Sequence, residues 1–403
     1  MAETHIERRT VRTLKQFYGL MEETAVVRRR LVIARLADQP PDAGDVTSLE
    51  QALASLDTIE GEGARRKLLI AEGKPIDVDL AYELAELDKD LKYLEVGEEK
   101  FFDHLDGLHD GFAKQVEQSV ARLRDVKLNC FITDRDGTIN NYCGRYRSSI
   151  QSVYNAVFLS RFAAKCTQNP VVITSAPLAD PGIVDVSVNP EKTMVYAASK
   201  GREFIDLTGA RRSYPVAADK QALLDQLNQR LTALCGKPDY ERFSLIGSGL
   251  QFKFGQTTIA RQDINKSIPQ GESEAFLKQL QDLVTELDPS GANFVIEDTG
   301  LDVEIILTIG EGEGLKDFNK ADAVDYLARE LKLDLSSGAQ LVCGDTGSDV
   351  PMIDAVMAHC PNTWAVFVTR KADLAERVAA ACPNHIIVPE PDFLIGTLAV
   401  LSR

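Results

Sequence analysis

Phe131-Ile132-Thr133-Asp134-Arg135-Asp136-Gly137-Thr138 runs from an apolar, β-branched segment into two carboxylates that flank one arginine, then into a glycine and a hydroxyl. Short apolar runs bounded by turn residues read as buried strands. Asp134 closes this one, so its carboxylate belongs at the carboxyl edge of a sheet, where α/β folds collect their ligands. There it is a candidate nucleophile toward a phosphoryl group. Asp136 points the same way if the chain stays extended, and suits protonation of a leaving alkoxide followed by deprotonation of water. Gly137 permits a tight exit turn, and Thr138 adds a hydroxyl to the local network. An aspartate-rich turn after a strand would carry the same letters without any chemistry.

Outward from this stretch, the chain from Val126 onward alternates two textures. Strands are expected at 128–133, 171–174, 193–197, 340–343, 364–368 and 385–388, with helices at 149–167, 320–331, 349–358 and 372–381. The alternation predicts right-handed βαβ crossovers and a parallel sheet. Between 205 and 312 the pattern changes to strands at 243–246, 250–254, 257–261, 293–297 and 302–309 and helices at 220–234 and 272–287, an α+β unit inserted into the parallel-sheet domain. Residues 7–125 repeat apolar positions at helical spacing, as in Leu14, Phe17, Tyr18, Met21 and Leu80, Leu84, Leu87, Leu91, Leu94. Breaks at 39–44 and at Gly73-Lys74-Pro75 divide that region into helices. The expected divisions are an N-terminal helical region at 1–125, a core at 126–204 and 313–403, and an inserted unit at 205–312.

The 403 residues are 44% apolar and 26% charged, a globular balance with room for two or three domains. A formal charge of −16 without a basic run argues against nucleic acid as a partner. Seven cysteines with no C-x-x-C pair suggest neither a disulfide framework nor a zinc site. With no apolar leader and no stretch of about 18 apolar residues, a cytoplasmic protein that meets no membrane is expected. The leucine spacing of the N-terminal helices fits self-association, binding to a partner enzyme, or plain packing against the core. His5, His104 and His109 read as surface or interface residues.

Three further elements bear on the chemistry. Val171-Val172-Ile173-Thr174-Ser175 ends a second apolar run in hydroxyls, which suit phosphate oxygens or a helix cap. Lys320 opens a predicted helix, where an ammonium can neutralise a pentacoordinate phosphoryl group and restrain the nucleophile. Gln340 to Gly344 leads into Asp345 and Asp349, two carboxylates that can complete an oxygen cage for Mg²⁺, although Asp349 also sits where an N-cap belongs.

In this order the elements resemble the motifs of the haloacid dehalogenase (HAD)-like phosphohydrolases, over roughly residues 126 to 403. The resemblance implies a Rossmann-like α/β core with a parallel sheet, an inserted α+β cap and, outside the resemblance, the α-helical N-terminal region. It implies that Asp134 becomes an aspartyl-phosphate and that Asp136 is acid, then base. Thr174, Ser175, Lys320 and Gly137 would meet the phosphate, and Mg²⁺ would be held by Asp134, the Asp136 carbonyl and Asp345, with Asp349 in or behind the ligand set. A cap between the hydroxyl and lysine motifs is the type found in sugar-phosphate phosphatases and phosphomannomutases.

For the substrate, Val195 to Phe204 looks like the sugar-contacting G-x-H-G-x-E segment of trehalose-6-phosphate phosphatases, with Lys200 in place of the histidine and Glu203 retained. Residues 175–177 and 344–349 depart from that family's S-G-R and G-D-D-x-T-D. The run 134–149, with 175–178 and 199–203, is more similar to the glucosylglycerol-phosphate phosphatases of compatible-solute synthesis and salt tolerance. That likeness implies glucosylglycerol 3-phosphate as substrate. The alternatives are trehalose 6-phosphate or another disaccharide phosphate, a phosphomutase, and a non-enzymatic module that recruits a synthase. Arg145, Arg147, Lys200, Glu203 and Glu304 are the candidate substrate contacts. Gln251, Lys253 and Arg261 are cap residues whose orientation the strand pattern leaves open.

Overall fold

In the computed structural model, which describes residues 4–71, 74–308 and 318–403, the strand Leu128–Thr133 lies inside an eight-stranded sheet. From edge to edge the strands are His385–Val388, Thr363–Val368, Ala339–Gly344, Leu128–Thr133, Asn169–Ile173, Val195–Ala198, Glu203–Ile205 and Arg211–Ser213. The first six run parallel; Glu203–Ile205 runs against them and Arg211–Ser213 turns back antiparallel to it. Side chains alternate across the sheet. Phe131 meets Phe162 on one face, while Cys130 and Ile132 join Val324, Leu327 and Ile353 in the core on the other. Helices Val153–Cys166 and Pro391–Leu401 cover the first face; Lys320–Leu331, Val350–Met357 and Ala372–Ala381 cover the second. Burial on both faces is why these strands read as continuous apolar runs.

The sheet extends beyond the expected core boundary at 204. Asp206 accepts from the amides of Thr208 and Ala210, at 2.9 and 3.0 Å, and Gly209 takes a left-handed φ of 89°. This turn folds Arg211–Ser213 back onto Glu203–Ile205 as a hairpin of the core sheet.

The inserted unit is a four-stranded antiparallel sheet in the order Phe294–Asp298, Asp302–Leu307, Gln256–Ala260, Leu250–Lys253, with helices Ala218–Cys235 and Gln270–Leu287. The strand expected at 243–246 is instead a 3₁₀ turn, Glu241–Ser244. Phe243 stacks on Phe276 of the following helix, with centroids 3.7 Å apart, and the backbone closes i to i+3 bonds rather than a ladder.

The N-terminal region is mostly helical, as expected, with one unforeseen β element. Helices Leu14–Leu36, Ala43–Leu56, Ala81–Leu108 and Phe112–Leu123 are interrupted by an antiparallel ribbon of Gly61–Glu62, Arg65–Ala71 and Lys74–Asp79. Lys74 and Pro75 do separate the second helix from the third, as expected, but from within a strand; Gly73 is outside the described residues. A Thr13/Gln16 capping box starts the first helix, and Asp42 caps the second.

This arm packs within the chain through buried charge. Arg28 Nε donates to Asp90 at 2.6 Å with both side chains fully buried, and Lys89 donates to Tyr154 and Asp392 of the core. His109 lies 2.7 Å from the same Asp392, an interface residue as expected. The arm also reaches the inserted unit: the Tyr18 hydroxyl donates to the Leu245 carbonyl at 2.6 Å, and Lys15 pairs with Glu241. All seven cysteines are free, and among the described residues no helix is long and apolar enough to cross a membrane.

Candidate active site

The parallel register brings three strand ends together. Thr133 pairs with Cys343 on one side and Val172 on the other, so Asp134, Asp345 and Thr174 leave the sheet side by side. The Asp134 amide still donates to the Cys343 carbonyl at 3.0 Å, which keeps the nucleophile candidate in the ladder.

Lys320 enters from the first turn of its helix and donates to Asp134 Oδ1 and Asp349 Oδ1, each at 2.5 Å. Asp349 Oδ2 accepts from the amide of Asp345 at 3.2 Å and from the amide and hydroxyl of Thr346, at 2.9 and 2.8 Å. Asp349 therefore holds the 345–346 loop with one oxygen and the lysine with the other. Thr138 Oγ1 lies 3.3 Å from both Asp134 Oδ2 and Asp345 Oδ1. Gly137 has φ 86°, and a Cβ there would fall 2.2 Å from Asp345 Oδ2, so the close approach of the two loops requires glycine.

The electrostatics are those of carboxylates short of positive charge. Burial pushes Asp134 up to about 6, with Asp349 adding and Lys320 opposing. Burial and the charges of Asp134 and Asp349 push Asp345 up to about 8. Burial also works against Asp349, yet Lys320 and the Thr346 donors hold it below the usual carboxylate range. Oxygens of Asp134, Asp345 and Asp349 lie within 4.8 Å of one another. One ammonium against three carboxylates leaves an all-oxygen, electron-rich cluster that suits a hard divalent cation. Both Asp349 oxygens are engaged within the protein, Oδ1 by Lys320 and Oδ2 by the 345–346 loop, so Asp134 and Asp345 would be the donors nearest such a cation.

Asp136 is held apart from this cluster by its own partners. Its Oδ1 pairs with Arg135 Nη1 and accepts from Ser149 Oγ at 3.1 Å. Thr174 is buried, its hydroxyl accepting from the Ala176 amide, whereas Ser175 is exposed at the strand end. The Lys200 amide donates to the Thr174 carbonyl at 2.8 Å, which seats the 199–201 turn beside the hydroxyl element.

The remaining candidates divide. Arg145 is buried and committed to Glu83 and the Asp79 carbonyl of the arm, so it fastens the arm instead of standing ready for a ligand. Arg147 pairs with Glu22, also on the arm. Glu203 accepts from Ser199 Oγ at 2.7 Å, and Ser199 Oγ in turn accepts from the Phe254 amide of the cap. Glu304 shares a face of the cap sheet with Lys253, a buried lysine whose pKa is lowered by burial, restored in part by the charges of Glu304 and Asp302, and lowered again by that of Lys200. Arg261 is taken by Asp298 and Ser273 within the cap. Tyr142 is an exposed aromatic on the loop between Asp136 and Arg145.

Residues 131–394 match the family described as trehalose-6-phosphate phosphatase, C-terminal, and residues 13–111 match the trehalose-6-phosphate phosphatase N-terminal helical bundle domain. A trehalose-phosphatase of Brugia malayi is 30% identical over 93% of this chain and 82% of its own length. An alpha,alpha-trehalose-phosphate synthase [UDP-forming] of Aphelenchoides avenae is 32% identical over 98% of this chain; the chain spans 32% of that relative's length. Among solved structures, the chain is similar to Aspergillus fumigatus trehalose-6-phosphate phosphatase at 18% identity and a TM-score of 0.40, covering 72% of this chain and 97% of that one.

Proposed function

The chain belongs to the trehalose-6-phosphate phosphatase family, and from that premise we propose that it hydrolyses a disaccharide phosphate, trehalose 6-phosphate, through a phosphorylated Asp134. The observation that carries the reading is Lys320 bridging Asp134 and Asp349, beside Asp345, at the carboxyl edge of the sheet. Asp134 forms the new bond to phosphorus as the sugar ester bond breaks, and Asp136 gives its proton to the departing sugar oxygen. Asp136 then takes a proton from the water that attacks the aspartyl-phosphate, releasing inorganic phosphate and the free carboxylate. Lys320 holds the nucleophile in place and faces the charge that builds on the phosphoryl oxygens. Mg²⁺, held by the Asp134 and Asp345 carboxylates and the Asp136 carbonyl, would supply further charge neutralisation there.

The family match favours trehalose 6-phosphate over glucosylglycerol 3-phosphate, the substrate expected from residues 134–149, and the salt-tolerance role is set aside with it. Lys253 and Glu304, on one face of the cap sheet, are suited to sugar hydroxyls. Phosphate release from a panel of sugar phosphates, with Asp134→Asn as control, tests the reading. Trehalose 6-phosphate is expected to turn over fastest, and Asp134→Asn to abolish release. Faster turnover of glucosylglycerol phosphate would overturn the substrate, release that survives Asp134→Asn would overturn the nucleophile, and isomerised sugar phosphate without free phosphate would make the enzyme a mutase.

A further inference from the structure

The helix Ala81–Leu108 belongs to the arm, yet one of its side chains reaches the hydrogen-bond network of Asp136. The Tyr82 hydroxyl donates to the Ile150 carbonyl at 2.7 Å and lies 3.0 Å from Asn140 Nδ2. Asn140 Nδ2 is also 3.2 Å from Ser149 Oγ, which donates to Asp136 Oδ1 at 3.1 Å. Arg135 completes the arrangement: it pairs with the same Asp136 oxygen and donates to Ser149 Oγ at 3.0 Å and to the Ser149 carbonyl at 2.5 Å. Asn140, Ser149 and Arg135 are buried. One phenol thus ties both ends of the Asn140–Ile150 loop; Ser149, beside one end, donates to Asp136, and Asn140, at the other, donates to Ser149.

We propose that Tyr82 is a positioning residue for Asp136, acting from the arm through Asn140 and Ser149. Both contacts to Asp136 land on Oδ1, which leaves Oδ2 for the reacting proton. A carboxylate transfers a proton only within hydrogen-bond reach of the leaving oxygen, so a rotation about its side-chain torsions removes it from the reaction. Without the phenol, Asn140 Nδ2 keeps the Asn141 carbonyl at 2.9 Å, and the balance of its donors between that carbonyl and Ser149 shifts toward the carbonyl. Substrate never touches Tyr82 in this arrangement; its effect passes through the loop. The inference rests on the reading of Asp136 as acid and base.

Tyr82→Phe removes only the hydroxyl, and the whole chain serves for the test. The kcat/KM for the sugar ester, which reports formation of the phosphorylated aspartate, is expected to fall about tenfold. On p-nitrophenyl phosphate, whose phenolate leaves without a proton, the fall is expected to stay below about threefold. Arg161→Gln, which breaks the pair with Glu98 further along the same helix, controls for general loosening of the arm and is expected to leave both values in place. Unchanged kcat/KM in Tyr82→Phe, an equal loss on both esters, or the same loss in Arg161→Gln would overturn the proposal. A crystal structure of Tyr82→Phe decides it independently of any activity: Asp136 turned from Ser149 supports it, and an unmoved Asp136 overturns it. Were the wild-type chain to release phosphate from no ester, the functional reading would fail, and the position of Asp136 in the Tyr82→Phe crystal would still decide whether Tyr82 holds it.

Discussion

Gly137 is glycine for two separate reasons, its left-handed φ of 86° and the 2.2 Å that would separate an added Cβ from Asp345 Oδ2. Gly137→Ala should cost about 1–2 kcal/mol from the backbone alone and push Asp345 away from Asp134. The expected outcome is a lower denaturation midpoint and a higher Mg²⁺ concentration for half-maximal phosphate release; a variant with unaltered Mg²⁺ response would show that Asp345 tolerates the displacement. Residue letters were most legible where chemistry and backbone coincide, as at Asp134, Lys320, Asp345 and Asp349, which the structure gathers. They were least legible for arginine. Nothing local distinguishes Arg145, spent on Glu83 of a distant helix, from an arginine kept for a ligand.

Among elements, the ribbon in the arm shows how a periodic signal is lost. Ile76 and Val78 alternate with exposed neighbours, and buried Leu68 and Ile70 flank a half-buried Leu69, the period-two pattern of strands buried on one face. Between long helices, runs this short are masked by the stronger helical period on either side. The helix Ala81–Leu108 meets the core through a buried cluster of Glu86, Lys89, Tyr154 and Asp392, with half-buried His109 at its edge. Burial opposes the charge on Asp392, but Lys89, His109 and Tyr154 hold its carboxyl well below the usual range. A carboxyl lowered on folding contributes stability above its unfolded value of about 3.9 and loses it as pH falls through the folded value. Asp392→Asn should therefore cost about 3 kcal/mol at pH 7, with the gap from wild type narrowing below about pH 4. Denaturant midpoints across that range check it; a gap independent of pH would mean the charge of Asp392 is not what the cluster uses.

At the scale of the whole molecule, the arm touches core and cap at once. Arg28, Lys89 and Tyr82 fasten it to the core, and Tyr18, Lys15 and Asp77 meet the cap at Leu245, Glu241 and Asn265. A cap that closes over its substrate moves against these contacts. Tyr18→Phe is expected to speed amide exchange in Glu241–Ser244 while leaving the central strand Leu128–Thr133 protected; equal exchange in both proteins would show that the Tyr18 contact does not restrain the cap. By itself, the sequence determined the order of the chemical elements, the parallel core and the inserted unit, because strand ends, glycine loops and apolar periods are local properties of the chain. Only the tertiary structure decided that the core sheet runs on through Ser213, that Arg145 serves the arm, and that Tyr82 stands behind Asp136. Each of those depends on a partner dozens of residues away or on a hairpin's return, and contact across that separation is set by how the layers pack, which no local pattern encodes.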